Sequence, residues 1–210
     1  STHKSKNKIP SLTIHAPGNW RSADLGGVAG KVCMSSAFVL KYLFQKLNEN
    51  VNKNSEVKEK YNITLEATHH GPLVKIPCCF IELGSLENEW NDESAGKVLA
   101  ETILSLNDFK KQETEEKWIP CIAIGGTHYC SNFNKIQLNS NYAISHIIPE
   151  YSFPINEIIL KEAEQKTKEQ IKLALIDWKG CGKSEDRKKI LNLLEKVGLK
   201  YERTDKIHKS

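Results

Sequence analysis

The chain has 210 residues, of which 39% are hydrophobic and 27% are charged. This composition supplies a sizeable globular core and excludes a disordered or fibrous chain. No run approaches the ~18 consecutive apolar residues of a membrane span, and the Lys-rich start lacks the apolar stretch of a signal peptide. The sequence therefore predicts a soluble, cytoplasmic protein whose six cysteines are reduced thiols, mostly buried, rather than a disulfide framework.

The formal net charge of +4 is unevenly distributed along the chain. Residues 1–31 carry five basic and one acidic side chains, and residues 179–210 carry ten and five. The middle of the chain, residues 32–178, carries fifteen basic and twenty acidic side chains. Basic ends can bind a polyanion, because each Lys–phosphate contact releases counterions. Charge alone favours the alternative, an ordinary solvated surface on a Lys-rich protein.

Predicted strands and helices alternate along the chain. Apolar or alternating runs predict strands at Ser11–His15, Ile63–Thr68, Cys78–Leu83, Trp118–Ile124, Tyr142–Ile148 and Ile171–Trp178. Helical spacing predicts helices from a Ser35 or Ser36 cap to about Asn48, from an Asn91 or Asp92 cap to about Leu106, and over Ile155–Thr167 and Ser184–Val197. The connections are a glycine-rich loop at Ala16–Lys31, a polar stretch at Glu49–Tyr61 and a charged loop at Asp108–Lys117.

This alternation predicts an α/β fold in one domain over residues 1–210. We expect three layers, with a mixed, mostly parallel sheet between helices on both faces. In such sheets ligands bind beyond the carboxyl ends of the strands, so residues that follow each strand are candidates for a site. The candidates are His15, His69, His70, Glu82, Gly125, Gly126, Thr127, His128, His146, Asp177 and Lys179.

Metal binding is the first chemistry that these residues suit. Imidazole, thiolate and carboxylate ligands favour Zn²⁺, and the available groups are His69, His70, His128 and Cys130 with Glu66 or Glu82. Their spacing matches no standard zinc signature. Adjacent histidines point to opposite sides of a continuing strand, so His69 and His70 can share an ion only where the chain turns, and Gly71-Pro72 favours a turn there.

Two further chemistries remain open. A histidine oriented by a carboxylate suits general acid–base catalysis. Gly125-Gly126-Thr127 directly follows a buried strand, and its backbone amides could cradle an oxyanion or phosphate. We therefore expect Gly126 to remain small, although a tight turn alone also needs glycine. Any single histidine at a strand end has a structural alternative, a hydrogen bond to a nearby carbonyl.

Residues in two other loops are weaker candidates. Asn19, Trp20 and Arg21 could stack on and hydrogen-bond a nucleotide, although a Trp in such a loop more often packs it down. Asp177 and Lys179 bring a carboxylate and an ammonium to the end of a strand. Cys181, between two glycines, is a candidate for an exposed thiol. No G-x-G-x-x-G or P-loop motif occurs, which disfavours dinucleotide- and ATP-dependent chemistry.

Several motifs together resemble the archaeal and plant type of D-aminoacyl-tRNA deacylase. They are LTIHAPGNW (Leu12–Trp20), LEATHHGP (Leu65–Pro72), FIELGS (Phe80–Ser85), Glu89-Trp90, IGGTHY (Ile124–Tyr129), HIIPEY (His146–Tyr151) and DWKG (Asp177–Gly180). The family usually has Gly where Thr127 stands, Ala-Pro where Cys130-Ser131 stands, and Gly where Ser145 stands. It also extends further at the N-terminus, so we expect this chain to lack a segment that the family possesses.

The resemblance implies hydrolysis of the ester that joins a D-amino acid to the terminal ribose of tRNA, a quality-control step of translation. It implies Zn²⁺ as cofactor, tRNA rather than DNA or a membrane as partner, and a fold like that of nucleoside phosphorylases and peptidyl-tRNA hydrolases. We expect a monomer. The expected site residues are His69, His70, Gly126, Thr127 and His128 for catalysis; His15, Asn19, Gly125, His146 and Lys179 for substrate binding; and His69, His70, His128 and Glu82 as metal ligands.

Two other functions compete with this interpretation. In a nucleoside phosphorylase or small-molecule hydrolase, the histidines would bind phosphate or a nucleobase. A non-catalytic RNA-binding protein would use them only to support its fold. Turnover of free nucleosides favours the first, and tRNA affinity without hydrolysis favours the second.

Overall fold

The computed structural model describes residues 1–4 and 8–207. Its strands β1 to β10 are Thr2–Lys4, Ser11–His15, Gly18–Asn19, Lys31–Val32, Asn62–Leu65, Phe80–Ser85, Ile119–Ile124, Tyr142–Ile148, Leu173–Ile176 and Lys200–Arg203. Its helices α1 to α8 are Ala37–Asn52, Ser55–Lys60, Glu87–Trp90, Glu93–Leu104, Lys111–Glu115, Ser131–Asn139, Glu157–Gln165 and Ser184–Lys196. Among the described helices, none is long and apolar enough to cross a membrane.

The predicted elements are present, with shifted ends. The predicted caps are confirmed: Ser36 accepts a hydrogen bond from the Val39 amide at the start of α1, and Asp92 accepts one from the Ala95 amide at the start of α4. The third predicted strand lies two residues later, at Phe80–Ser85. The sequence did not predict helices α2, α3, α5 and α6 or strands β1, β3, β4 and β10, and α2 and α5 lie in stretches that were expected to be connections.

Eight of the described strands form two four-stranded sheets instead of the single sheet expected, and β3 and β4 pair separately as a two-stranded antiparallel sheet. The first has the order β1-β6-β2-β5 and is mixed, because β2 runs antiparallel to β6 and parallel to β5. The second has the order β10-β9-β7-β8 and is parallel throughout. The α/β class is thus confirmed, and these eight strands are divided between two sheets.

The segment that follows β5 joins the two sheets. The Glu66 amide still donates to Ile14 of β2, but the next two amides, of Ala67 and Thr68, donate to His128 and Ile147 on the side of the second sheet. Pro17 and His69 then form a parallel bridge. We call residues 66–70 the junction segment. It explains the division of the sheet, since the chain leaves the ladder of β2 before a longer strand can form.

One apolar cluster packs against both sheets. It includes Leu12 and Ile14 of β2 and also Cys121, Ala123 and Leu175 of the second sheet. All six cysteines are free thiols, as predicted. Cys181 is fully buried, so the exposed thiol considered from the sequence is wrong; its flanking glycines allow the loop to close over it.

Candidate active site

Antiparallel pairing of β2 and β6 brings His15 and Glu82 together. Glu82 lies opposite Thr13, two residues before His15, and residues two apart share one face of a strand. His15 Nε2 lies 3.4 Å from Glu82 Oε2, and both side chains are almost completely buried. The local sequence therefore places one imidazole and one carboxylate on the same face of the first sheet.

The junction segment adds two more imidazoles. His70 has φ +44°, a left-handed conformation that non-glycine residues rarely adopt, so the chain turns there as predicted. As a result His69 and His70 lie on the same side, and their ring centroids are 4.4 Å apart. His15 contacts both, with centroids 4.2 Å from His69 and 4.9 Å from His70.

Hydrogen bonds to the backbone orient these rings. Nδ1 of His15, His69 and His70 faces the carbonyls of Ala16, Ala67 and Gly71 at 3.2, 2.8 and 2.5 Å. An imidazole that donates from Nδ1 carries its lone pair on Nε2. The three Nε2 atoms can therefore act as acceptors or metal ligands, in the arrangement that accompanies most metal-bound histidines.

Glu66 lies at the centre of the group. Its Oε2 atom is 3.5 Å from His69 Nε2, 3.8 Å from His128 Nε2 and 3.9 Å from His15 Nε2. These separations exceed a normal N–H···O hydrogen bond of 2.7–3.2 Å. The arrangement thus leaves space for a small species between the carboxylate and the imidazoles. We call the set His15, Glu66, His69, His70, Glu82 and His128 the junction cluster.

Burial keeps the inner histidines neutral. Desolvation lowers the pKa of His15, and it lowers that of His69 to about 2, with the neighbouring imidazoles adding to the effect. A general base works best with a pKa near the operating pH, so His69 is poorly suited to that role. A neutral imidazole is the form that ligates metals.

Potential ligand atoms form three groups, each within 4.8 Å, among the described residues. The groups are His15, His69 and His70; Glu66, His69 and His128; and His15, Glu66 and Glu82. The four ligands expected from the sequence therefore do not form one group, and His15 and Glu66 complete the sets. Cys130 belongs to none of them, because its thiol faces the carbonyls of Thr127 and His128 and burial raises its pKa.

The glycine turn differs from the oxyanion cradle that was expected. The amide of Gly125 donates to Ile148 at 2.8 Å, and that of Gly126 donates to Gly180 at 2.9 Å. Both residues have positive φ, +98° and +82°. Both amides already donate hydrogen bonds within the turn, so neither is available to donate to an oxyanion in this conformation. The exposed Thr127 hydroxyl likewise donates to the Tyr129 carbonyl.

His146, which was expected from the sequence to bind substrate, lies inside the fold. The side chain is fully buried, with Nδ1 3.3 Å from the Thr68 hydroxyl and Nε2 3.1 Å from the Lys166 carbonyl. Desolvation lowers its pKa to about 4. Lys179 is exposed in the loop after β9 and does not line the two cavities described next. No contact with the junction cluster is described for it.

One cavity borders the cluster at His69, and a second lies beside Thr127 and Tyr129, the neighbours of His128 in the chain. One of about 200 Å³ is lined by Asn19, Trp20, Arg21, Thr68, His69 and Tyr151, among others. The other, of about 190 Å³, is lined by Thr127, Tyr129, Asn132, Glu150 and Asp177, among others. Asn19 is held by a hydrogen bond to the Gly26 carbonyl, so it forms a fixed wall of the first cavity. Tyr151 was not singled out from the sequence; its position in HIIPEY, directly after a strand, is the signal that could have found it.

Tyr151 lines the first cavity, and His128 lies beside it. The Tyr151 hydroxyl is 3.4 Å from His128 Nδ1, and 36% of the His128 side chain is exposed. The His128 side chain is therefore more exposed than those of His15 and His69, which are 0% and 19% exposed. Together with Glu66 it forms a carboxylate–imidazole pair beside an opening, which is suited to moving a proton.

Fold and site define an α/β protein with a buried His/Glu cluster where two sheets meet. Residues 1–202 match the family described as D-aminoacyl-tRNA deacylase. D-aminoacyl-tRNA deacylases of Thermococcus onnurineus, Pyrococcus abyssi and Methanocaldococcus jannaschii are 39%, 35% and 32% identical over 96%, 96% and 97% of this chain, and the matches cover 71%, 71% and 80% of those proteins. The chain belongs to the D-aminoacyl-tRNA deacylase family.

A solved structure has the same fold. It is a crystal structure described as a conserved protein of unknown function, with a TM-score of 0.87 and 28% sequence identity. The superposition covers 99% of this chain and 70% of that one. The two-sheet arrangement is thus shared with an experimentally determined protein.

Proposed function

We propose that the chain hydrolyses the ester between a D-amino acid and tRNA, giving free D-amino acid and tRNA. Membership in the deacylase family supports this activity. The observation that carries the chemistry is the position of Glu66 Oε2 within 3.9 Å of three imidazole Nε2 atoms, beside the cavity that His69 lines. Cleavage of an ester needs an activated water and a group that stabilises the developing oxyanion.

Zinc fits the junction cluster. Three imidazoles from His15, His69 and His70 match the donor set of catalytic zinc sites, which keep one position open. Each ring is oriented through Nδ1 by a backbone carbonyl, which favours ligation through Nε2. Glu82 would then neutralise charge beside His15. When bound, zinc would supply Lewis-acid polarisation of the ester carbonyl and of water.

His128 is our candidate for proton transfer. Glu66 Oε2 lies 3.8 Å from its Nε2 atom, and its Nδ1 atom lies beside the hydroxyl of Tyr151, which lines the first cavity. Nδ1 can there accept a proton from the attacking water. The oxygen of that water bonds to the ester carbon, and the bond from this carbon to the ribose oxygen breaks. The proton then passes to the ribose oxygen, which leaves as the free hydroxyl of tRNA. His69 and His70 hold the inner side of the site in place.

tRNA binding would use the basic surface at the end of the chain. Lys183, Lys188 and Lys189 are exposed on or directly before α8, and a tRNA offers one phosphate per nucleotide. The parallel second sheet also supports the expected likeness to phosphorylases and peptidyl-tRNA hydrolases, which we retain as part of the proposal.

Deacylation of matched D- and L-aminoacyl-tRNA by the purified chain tests the function. We expect faster release of the D-amino acid, loss of activity after chelation, and recovery with zinc. Metal content per chain, measured for the parent and for His70→Ala, tests the ligand assignment without relying on turnover. Phosphorolysis of free nucleosides without deacylation would support the phosphorylase alternative. Retention of tRNA without hydrolysis, even with zinc, would support a binding protein.

A further inference from the structure

Tyr151 occupies a fixed position at the mouth of the site. It lies in the short turn Glu150–Ser152 that follows β8. The amide of Glu150 donates to Gly126 at 3.0 Å, and the Ser152 carbonyl accepts from Arg21 Nε at 3.0 Å, so both sides of the turn are anchored. The side chain is 60% exposed, and it lines the same cavity as His69. A substrate in that cavity would meet the phenol.

Other nearby donors are bound to the protein. The amides of Gly125 and Gly126 donate to backbone carbonyls, the Thr127 hydroxyl donates to Tyr129, and Asn19 Nδ2 donates to Gly26. Each of these bonds is between 2.8 and 2.9 Å long. Releasing such a donor would leave a backbone carbonyl without its partner, which is costly in a partly buried loop. An ester in the site therefore has few protein donors available to it.

The Tyr151 hydroxyl is different. The polar partner described for it is His128 Nδ1 at 3.4 Å, much longer than the usual distance for a hydroxyl donor. Catalytic hydrogen bonds are often long before substrate binds and shorten in the complex. Desolvation raises the pKa of Tyr151 to about 12, so the phenol keeps its proton at neutral pH. The hydroxyl can therefore move from the imidazole to a substrate oxygen at little cost.

We propose that Tyr151 is a catalytic residue that donates a hydrogen bond to the carbonyl oxygen of the aminoacyl ester as that oxygen becomes negatively charged. This inference rests on the proposed function, and it assigns the oxyanion-stabilising role that the glycine turn does not fill. The proton stays on the phenol throughout, so no bond to Tyr151 forms or breaks. Its release from His128 Nδ1 also frees that nitrogen to accept the proton of the attacking water.

Tyr151→Phe tests the assignment because it removes only the hydroxyl. Tyr42→Phe is the matched control, since it removes a hydroxyl that donates to the Ser105 carbonyl on another side of the molecule. With D-aminoacyl-tRNA as substrate, we expect kcat of Tyr151→Phe to fall by about 10²-fold, as for loss of one oxyanion donor, with KM within threefold of the parent. The control should keep the parent kcat and KM. A Tyr151→Phe variant that keeps kcat within threefold overturns the proposal.

A double variant separates direct contact from an effect through His128. If Tyr151 binds the oxyanion, Tyr151→Phe should lower kcat further when it is introduced into His128→Ala. A double variant as active as His128→Ala alone would show that Tyr151 only positions the imidazole, and would overturn the catalytic role. The activity of the parent enzyme in the same assay distinguishes a failure of the proposed function from a failure of this inference. A parent without deacylase activity contradicts the proposed function itself, whereas an active parent with an unaffected Tyr151→Phe contradicts only this inference.

Discussion

The junction between the sheets and the carboxyl edge of the second sheet both carry polar residues that the sequence marks as candidates. At the junction, His15, His69 and His70 use Nδ1 to hold the backbone and direct Nε2 into a shared space. At the carboxyl edge of the second sheet, the amides of Gly125 and Gly126 donate hydrogen bonds to neighbouring carbonyls. The first region keeps its reactive atoms available, whereas the second uses them to build a turn.

This difference refines the rule that ligands bind beyond the ends of parallel strands. The cavity lined by Gly126 and Asp177 does lie at that edge. The titratable groups converge elsewhere, because the junction segment leaves β2 and crosses to the second sheet. We therefore expect the catalytic groups where the junction segment passes from one sheet to the other. At the carboxyl edge of the second sheet we expect residues that stabilise the fold.

We expect the largest effect from replacing the imidazoles of the junction segment. His69→Ala and His70→Ala should each lower kcat/KM for D-aminoacyl-tRNA by ~10²-fold or more, since each removes an acid–base or ligand group. His146→Gln is the contrasting variant, because that histidine is fully buried and serves the fold. It should melt earlier and keep its turnover when folded. Activity within a few-fold of the parent for both junction variants would contradict their role.

Stability in acid provides the second test. The folded-state pKa of His146, about 4, lies below the unfolded value of about 6.5, so the unfolded chain binds the proton more tightly. The resulting stability is present above pH 6.5 and is lost as the pH falls towards 4. It amounts to about 3 kcal/mol. Denaturant unfolding of the parent and of His146→Gln between pH 7.5 and 4 measures it: the difference between the two should shrink as the pH falls. A constant difference would show that His146 does not titrate as its burial requires.

Gly126→Ala tests the edge. A Cβ there would lie 3.3 Å from Asp177 Oδ2, and φ is +82°, so we expect a loss of about 1–2 kcal/mol of stability with little change in turnover of the folded enzyme. Gly96→Ala is the control, since that glycine lies in α4 with open space around it and should gain about 1 kcal/mol. Loss of turnover without a change in melting temperature would restore the oxyanion role of the turn.

The smallest effect concerns tRNA affinity far from the cluster. Replacing Lys183, Lys188 and Lys189 by Gln should raise KM and flatten its salt dependence while kcat stays the same, because fewer counterions are released on binding. A control with Lys53, Lys58 and Lys97 changed to Gln carries the same loss of charge on α2, α4 and the end of α1. An equal effect of both sets would mean that only net charge matters, and an unchanged salt dependence would exclude α8 from the interface.

Several elements were predictable because their signals are local. The Ser36 and Asp92 caps and the apolar run at Ile119–Ile124 depend on neighbours in sequence. Helix α6 was missed because its sequence is mostly polar and lacks a side-chain cap. Long-range contacts stabilise it instead: Phe133 is fully buried, and the Gln137 side chain accepts from the Ile144 amide at 2.8 Å.

The sequence by itself determined the α/β class, the turn at His70 and the residue types of the site, since these follow from periodicity, local conformation and motif. Tertiary structure decided which of the marked residues meet. Glu66, in the middle of the chain, joins His15 and His128 only because the junction segment bonds to both sheets. Tertiary structure also decided that His146 lies inside the fold while other histidines form the junction cluster, because burial and hydrogen-bond partners depend on residues distant in sequence.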